Sequence, residues 1–181
     1  MRPLSFLFKG SDGGRPFKLG HKHFEIMNKD NALQGSSTRS SQGHVGYVHS
    51  IETFGSVDGP GIRYIIFLQG CPMRCLFCHN PDTWKQNKVK PMTADELLDQ
   101  AERYRTYWGE KGGITVSGGE ALLQIDFLIE LFEKAHARQI NTCLDTSAQP
   151  FTRNGLWFTK FEHLMKVTDT VLLDIKHIRD E

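Results

Sequence analysis

Apolar residues recur along the chain with two different spacings from Val45 onward. Four short runs are rich in β-branched residues and have the length of buried strands, at residues 62–68, 113–116, 141–144 and 171–175. The stretches between these runs carry apolar residues three and four positions apart, which is the spacing of an amphipathic helix. The pattern therefore predicts strands that alternate with helices.

The first helix is predicted to begin after Thr93, because Glu96 follows three residues later in the pattern of a capping box. A second helix is predicted over residues 122–135 and a weaker one over residues 156–165. Strands that alternate with helices in this order are typical of an α/β fold with a parallel sheet.

Reactive and polar groups follow each predicted strand at its carboxyl end. In a parallel sheet these ends lie along one edge, where α/β proteins bind their ligands. We therefore expect one site to collect the groups that follow the four strands. They are the cysteines after the first strand, Ser117 to Glu120, Asp145 with Thr146, and Asp174 to Lys176.

Composition is that of one globular domain, with 181 residues of which 39% are hydrophobic and 24% charged. Residues 1–45 show no sustained spacing, so we predict a flexible tail there and one folded domain over residues 46–181. A formal net charge of +1 offers no electrostatic surface for nucleic acid or an anionic membrane. No apolar stretch reaches the ~20 residues that span a bilayer, which favours a cytoplasmic protein.

Three of the four cysteines, Cys71, Cys75 and Cys78, have the spacing C-x3-C-x2-C on the loop after the first predicted strand. Neighbours this close make a poor disulfide framework, and the cluster indicates a metal site in a reducing compartment. Three thiolates can hold three irons of a [4Fe–4S] cube and leave the fourth iron without a protein ligand. The alternative is a structural zinc site, with His79 or Cys143 as the fourth ligand.

The sequence Ser117-Gly118-Gly119-Glu120 ends the second predicted strand. Paired glycines here let the backbone approach a ligand too closely for any side chain, and Glu120 adds an acceptor. A plain tight turn explains the same glycines, so the motif gains weight only beside the cysteine loop.

Together these segments resemble the radical S-adenosylmethionine (SAM) enzymes, and among them the pyruvate formate-lyase activating enzymes. The resemblance runs from Gly46 to the end of the chain and rests on GYVHSIETFGSVDGPGIRYIIFLQGC, CHNPDTW, GGITVSGGEALLQIDFL, CLDTSA and VTDTVLLDIK. It implies a parallel-sheet partial (β/α)6 barrel of the radical SAM type, with about four βα units present. Family members continue through about two more such units beyond Glu181, so we expect this chain to be poorly active or inactive alone.

The resemblance also assigns roles to residues, beginning with Cys71, Cys75 and Cys78 as the catalytic set that binds a [4Fe–4S] cluster. The positions that match the family's cofactor contacts are Phe77, Cys78, His79, Gly119, Glu120, Asp174, Ile175 and Lys176. The positions that resemble a site for a monovalent cation are Asp145, Thr146 and Asp174, with a helix cap as the alternative role of Asp145. The resemblance places Asp58 near the glycine-bearing segment of the partner, although its Gly- and Pro-rich turn needs no function to explain it.

The chemistry implied by the resemblance is reductive cleavage of S-adenosylmethionine, followed by removal of a hydrogen atom from a glycine of the partner by the 5′-deoxyadenosyl radical. The implied partner is pyruvate formate-lyase, and the implied electron donor is a flavodoxin or ferredoxin. The 38 residues between Cys78 and Ser117 contain no cysteine, which favours this subgroup over activases with a ferredoxin-like insertion. Two alternatives stay open: a radical enzyme with another substrate or glycyl radical partner, and a non-catalytic zinc-binding module.

Overall fold

The computed structural model describes residues 5–9, 43–85 and 89–176. Its strands are β1 (Ser5–Lys9), β2 (Val45–Gly55), β3 (Arg63–Leu68), β4 (Pro91–Thr93), β5 (Gly113–Gly118), β6 (Asn141–Thr146) and β7 (Thr170–Asp174). Its helices are α1 (Ala94–Glu102), α2 (Ile125–Ala137) and α3 (Gly155–Lys166), with 3-10 helices at Pro81–Trp84, Arg105–Tyr107 and Ala121–Gln124. None of the helices in these ranges is long and apolar enough to cross a bilayer.

One sheet joins the described strands in the order β1-β7-β6-β5-β3-β2-β4. The strands β1, β7, β6, β5 and β3 are parallel to one another, and β2 is antiparallel to both β3 and β4. The strands β3, β5, β6 and β7 coincide with the four runs predicted from the sequence, and helices connect them. The predicted α/β class and parallel sheet are therefore confirmed, while the curvature of a partial barrel stays a prediction.

Side chains alternate between the two faces of the sheet, as the two-residue period of a strand requires. On one face, apolar side chains pack with the helices into a common core, and among them are Tyr64, Ile66, Leu68, Ile114, Val116 and Leu144. On the other face the same strands carry buried residues of mixed chemistry, among them Arg63, Ile65, Thr115 and Cys143. The sheet therefore separates an apolar core from a face with polar groups.

Arg63 is fully buried at the start of β3 and connects three strands. Its guanidinium donates to Thr115 Oγ1 at 3.0 Å and to Asn141 Oδ1 at 2.7 Å. It also donates to the backbone carbonyls of Pro60, Lys111, Ile114 and Asn141. Burial lowers the pKa of Arg63 to about 10, so the group stays charged at neutral pH and depends on these acceptors. The turn that precedes β3 is thereby tied to the sheet.

The N-terminus of α1 has the capping box that the sequence predicts. The Glu96 backbone N–H donates to Thr93 Oγ1 at 3.2 Å, and the Thr93 N–H donates to Glu96 Oε2 at 2.9 Å. Two donors that the helix leaves without partners are thus satisfied. The helix then packs beside α2, where Arg138 pairs with Asp95 and Asp99 at 2.8 and 2.6 Å.

One strand contradicts the prediction of a flexible tail. Residues Ser5–Lys9 form β1, which runs parallel to β7 with Ser5 opposite Thr170 and Lys9 opposite Asp174. The prediction is wrong for these five residues, because the edge of β7 offers backbone groups that a short run such as SFLFK can pair with. The rest of the predicted tail up to residue 42 lies outside the described residues.

Replacement of the capping residue should weaken α1. We expect Thr93→Ala to lower the free energy of unfolding by about 1 kcal/mol, since it removes the side-chain acceptor of the Glu96 N–H. Urea unfolding followed by circular dichroism measures this change. The exposed Thr106 provides the control, because its replacement by Ala should alter stability by less than about 0.5 kcal/mol. Equal losses in the two variants would contradict the capping role.

Candidate metal centre and cofactor pocket

An open pocket of about 220 Å³ lies at the carboxyl ends of the parallel strands. Each of the four predicted strands contributes to it, as the sequence predicts. The predicted site residues in its lining are Asp58, Cys71, Cys75, Phe77, Cys78, His79, Gly119, Asp145, Thr146, Asp174 and Lys176. Glu120 is instead buried, and Ile175 is 57% exposed and lines a neighbouring recess.

Backbone hydrogen bonds close the cysteine loop against the 3-10 helix Pro81–Trp84. The Gly70 N–H donates to the Thr83 carbonyl at 2.6 Å, and the Cys71 N–H donates to the Trp84 carbonyl at 3.4 Å. The Gln69 side chain adds a donor to the Asp82 carbonyl at 2.7 Å. The loop that carries the cysteines is therefore held at both ends by neighbouring backbone.

Arg74 turns the chain inside the cysteine loop. Its φ of 58° lies in the left-handed region that residues with a side chain rarely adopt. Its guanidinium donates back to the Cys71 carbonyl and lies 4.9 Å from the centroid of the Trp84 ring. These contacts fold the loop onto itself, and the Cys78 N–H donates to the Cys75 carbonyl at 3.2 Å within it.

The three thiols share one electrostatic environment. Burial raises the pKa of the Cys71 thiol, a backbone hydrogen bond at Met73 opposes this, and the nearby Glu120, Cys75 and Cys78 raise the pKa further. Thiolates that repel one another in this way are stabilised by a bound metal ion or cluster, because its positive charge favours deprotonation. The donor set thus fits a soft metal or an iron–sulfur cluster.

Among the described residues, no three His, Cys, Asp or Glu side chains meet closely enough to hold a single metal ion. In a [4Fe–4S] cube each cysteine binds a different iron, so the thiols need to face a common space rather than a common point. Cys71, Cys75 and Cys78 meet that weaker requirement, since all three line the same pocket.

The two glycines of the SGGE sequence allow the end of β5 to approach the cysteine loop. A Cβ atom on Gly118 would lie 2.3 Å from the Leu68 backbone, and one on Gly119 would lie 2.2 Å from the Gly70 carbonyl oxygen. The Gly119 N–H donates to the Leu68 carbonyl at 2.9 Å, and the Glu120 N–H donates to the Gly70 carbonyl at 2.8 Å. These glycines therefore allow two backbone segments of the protein, residues 118–119 and 68–70, to pack closely against each other.

Glu120 organises the turn that follows β6. Its carboxylate accepts hydrogen bonds from Thr146 Oγ1 at 2.5 Å, from the Ser147 N–H at 3.0 Å and from Ser147 Oγ at 2.5 Å. A fourth donor is the Leu122 N–H at 3.1 Å. The sequence correctly indicated an acceptor at this position, but the groups it accepts from belong to the chain.

Acidic side chains from β6 and β7 complete the pocket. Asp145 Oδ2 accepts from Ser117 Oγ at 2.9 Å, and the N-cap of α3 is Asn154, so Asp145 caps no described helix. Asp174 pairs with Lys176 at 2.7 Å. Burial, the largest single influence, would lower the pKa of Lys176, but the hydrogen bond to Asp174 and the charges of Asp174, Asp145 and Cys75 together raise it above its ordinary value.

Comparison with known proteins identifies the family. A family model described as "4Fe-4S single cluster domain" matches residues 57–181, a range that includes the three cysteines and all later groups of the pocket. The chain belongs to the 4Fe-4S single cluster domain family.

Relatives of this 4Fe-4S single cluster domain carry a more specific name. The chain is 54% identical to the pyruvate formate-lyase-activating enzyme of Streptococcus mutans over 138 residues, which are 75% of this chain and 52% of that protein. The enzyme of that name from Listeria monocytogenes is 51% identical over 76% of this chain and 56% of its own length. The chain spans about half the length of the curated relatives it matches.

Among solved structures, QueE from Escherichia coli matches 57% of this chain and 53% of its own chain, with a TM-score of 0.44 and 19% identity. This likeness is too weak to add to what the strand order already shows.

Several lining residues of the 4Fe-4S single cluster domain were missed by the sequence analysis. Met73, Asn80 and Trp84 line the pocket and lie within or just after the cysteine motif, so proximity to that motif was an available signal. Gln124, which lies outside this lining and donates to the carbonyls of Tyr47 in β2 and Gln69, offers no such signal because isolated amides occur throughout the chain.

Alkylation should distinguish the cysteines of the metal-free protein. At mildly alkaline pH we expect iodoacetamide to modify Cys75 and Cys78 first and Cys71 more slowly, because Cys71 is buried and its raised pKa keeps the thiol protonated. Cluster reconstitution should protect all three, while the fully buried Cys143 should react slowly in both states. Mass spectrometry of the peptides measures the rates, and a Cys71 as reactive as Cys78 would contradict the described burial.

Glu120→Gln should loosen the turn after β6. The variant replaces one carboxylate oxygen by an amide donor that faces the donors of Ser147 and Thr146, so we expect a loss of about 1–3 kcal/mol in unfolding free energy. Hydrogen exchange at the Ser147 amide should accelerate in this variant. In the exposed control Glu110→Gln the Ser147 exchange rate should match the native protein. Slow exchange in both variants would exclude the proposed anchoring by Glu120.

Proposed function

We propose that this chain is a radical S-adenosylmethionine protein that acts in the activation of pyruvate formate-lyase. The observation that carries the proposal is that one pocket collects three thiols, the Gly119 backbone and the side-chain oxygen atoms of Asp145, Thr146 and Asp174. The names of the relatives support the choice of pyruvate formate-lyase as the partner.

In this proposal Cys71, Cys75 and Cys78 hold a [4Fe–4S] cluster through three of its irons. When bound, the cluster would supply an electron for cleavage of the S–C5′ bond of S-adenosylmethionine, and the resulting 5′-deoxyadenosyl radical would take a hydrogen atom from a glycine of the partner. The exposed Phe77 and His79 line the pocket beside the cysteines, where they would flank the cofactor.

The groups on β5, β6 and β7 bind the rest of the cofactor. The backbone of Gly119 would border the methionine end of the cofactor. Glu120 would contribute indirectly, because its carboxylate accepts hydrogen bonds from Thr146 and Ser147 and so holds them in place. Asp174, Ile175 and Lys176 would form a further contact stretch, in which Asp174 and Lys176 line the pocket and Ile175 lines the neighbouring recess.

A monovalent cation belongs to the proposal. Asp145, Thr146 and Asp174 place hard oxygen atoms on the same pocket, and such donors suit a hard cation that would offset the carboxylates beside the cofactor.

The partner's glycine segment is proposed to enter past Asp58, which lines the pocket at the turn before β3. Thr115 Oγ1 donates to the Asp58 carbonyl at 2.7 Å and accepts from Arg63, so this turn has a fixed position. A flavodoxin or ferredoxin as electron donor, a cytoplasmic location and the lack of nucleic-acid and membrane partners complete the proposal.

Electron paramagnetic resonance of the reconstituted and reduced chain tests this function. We expect a [4Fe–4S] signal that changes when S-adenosylmethionine is added, because the cofactor would occupy the iron that has no protein ligand. Cys75→Ala should lose the signal, and Cys143→Ala should keep it, since Cys143 is buried in β6 away from the loop. Bound zinc without a cluster would overturn the proposal of a radical enzyme and support the alternative of a non-catalytic zinc-binding module.

A signal in the native chain that is indifferent to S-adenosylmethionine would leave the cluster site standing and overturn the proposed cofactor. Where the cofactor does change the signal, incubation with pyruvate formate-lyase tests the partner by the appearance of a glycyl radical spectrum.

A further inference from the structure

The side-chain amide of Gln69 joins the two ends of the cysteine loop. Gln69 follows β3 directly and is only 2% exposed. Its Nε2 atom donates to the Asp82 carbonyl at 2.7 Å and also to the Lys85 carbonyl. Asp82 and Lys85 come after the last cysteine of the motif, whereas Gln69 precedes the first. One buried side chain therefore closes the segment that carries the three thiols.

Hydrogen bonds of its own backbone hold Gln69 on the sheet. The Gln69 N–H donates to the Tyr47 carbonyl in β2 at 2.8 Å, and the Gln69 carbonyl accepts from Gln124 Nε2 at 3.0 Å. Gln124, which is buried just ahead of α2, also pairs with the Tyr47 backbone through both ends of its amide. The position of Gln69 is thus set by β2, β3 and the start of α2, and not by the loop that it closes.

The carbonyls that accept from Gln69 lie at an exposed turn. Asp82 and Lys85 are exposed to solvent, and the 3-10 helix Pro81–Trp84 is a single turn whose last carbonyls gain no partner from the helix itself. Two backbone hydrogen bonds, at 2.6 and 3.4 Å, close the same end of the loop. The two hydrogen bonds from the Gln69 side chain double that number, and they come from a donor that is shielded from water.

We propose that Gln69 is a positioning residue for the cluster, because its amide sets the closed form of the cysteine loop before the cluster binds. The inference rests on the proposed [4Fe–4S] site, and Gln69 itself does not line the pocket that the thiols face. A loop that is already closed has less conformational freedom to lose on binding, so it holds the cluster more strongly. Two hydrogen bonds between neutral groups change an equilibrium constant of this kind by about tenfold.

The experiment compares Gln69→Met and Thr142→Val with the native chain after cluster reconstitution. Gln69→Met keeps the length of the side chain and removes both donors, while the buried Gln69 Oε1 accepts from no described residue and so loses nothing. Thr142→Val is the control, since it removes a buried hydrogen bond to the Val167 carbonyl, of 2.9 Å, near the amino end of β6. Iron release to a ferrous chelator, followed by absorbance under anaerobic conditions, should be about tenfold faster in Gln69→Met. The rate in Thr142→Val should equal the native rate.

Hydrogen exchange of the metal-free protein gives a second readout that needs no cluster. In the native chain we expect the Gly70 and Cys71 amides, which donate across the closed loop, to be protected before reconstitution. They should exchange several-fold faster in Gln69→Met and at the native rate in Thr142→Val. If Gln69→Met fails to fold, the native chain still decides. Amides that become protected only after reconstitution would show that the cluster closes the loop, and would overturn the inference.

The outcomes separate this inference from the proposed function. Iron release at the native rate in Gln69→Met would overturn the role of Gln69 and leave the cluster site intact. A native chain that takes up no cluster would overturn both. Release that accelerates equally in Gln69→Met and Thr142→Val would assign the effect to the stability of the whole domain, and it would also overturn the positioning role.

Discussion

The close approach of two backbone segments, residues 68–70 and 118–120, determines the geometry of the whole functional edge. No Cβ atom fits between them, and two N–H to carbonyl bonds join them in place of side chains. One segment leads directly into the cysteine loop, and the other ends at Glu120. The distance from the thiols to the groups on β5 and β6 is thus set by main chain, which is the least adaptable part of a protein.

Hydrogen bonds connect this contact to the next strand. Glu120, at the end of one of the two segments, fixes the turn after β6 by accepting from Thr146 and Ser147. A separate set of hydrogen bonds on the polar face of the sheet, from Arg63 to Thr115 and from Thr115 to the Asp58 carbonyl, holds the turn before β3. Such networks stabilise a site only when every member is paired, because an unpaired buried charge or carboxylate is strongly unfavourable. The residues that touch ligand therefore depend on residues that never do.

The sequence predicted the part of the fold that follows simple periods. The strands β3, β5, β6 and β7 are short apolar runs, and α1 begins at a recognisable capping box. The strand β2 was missed because its eleven residues mix polar and apolar side chains, and β4 because three residues carry no period. The place of β1 beside β7 could not be predicted, since pairing between distant segments leaves no local pattern.

The part of the candidate site that could be predicted is the part whose chemistry follows from the type of residue. Cysteines, paired glycines and strand-end carboxylates were all found in one pocket. The direction in which each side chain points could not be predicted from the sequence. Residue type could not show that Glu120 accepts hydrogen bonds from its neighbours, and Trp84 was not singled out because only the folded loop brings it into the lining of the pocket.

The parallel pairing of β1 with β7 has a consequence for biosynthesis. Ser5 emerges from the ribosome long before Thr170, its partner in the sheet. Parallel pairing of segments so far apart requires closure of a large loop, which slows folding. During translation the SFLFK segment must wait without its partner strand, and in that interval its backbone is open to chaperones or to other nascent chains. Among the described strands, β1 is therefore made first and paired last.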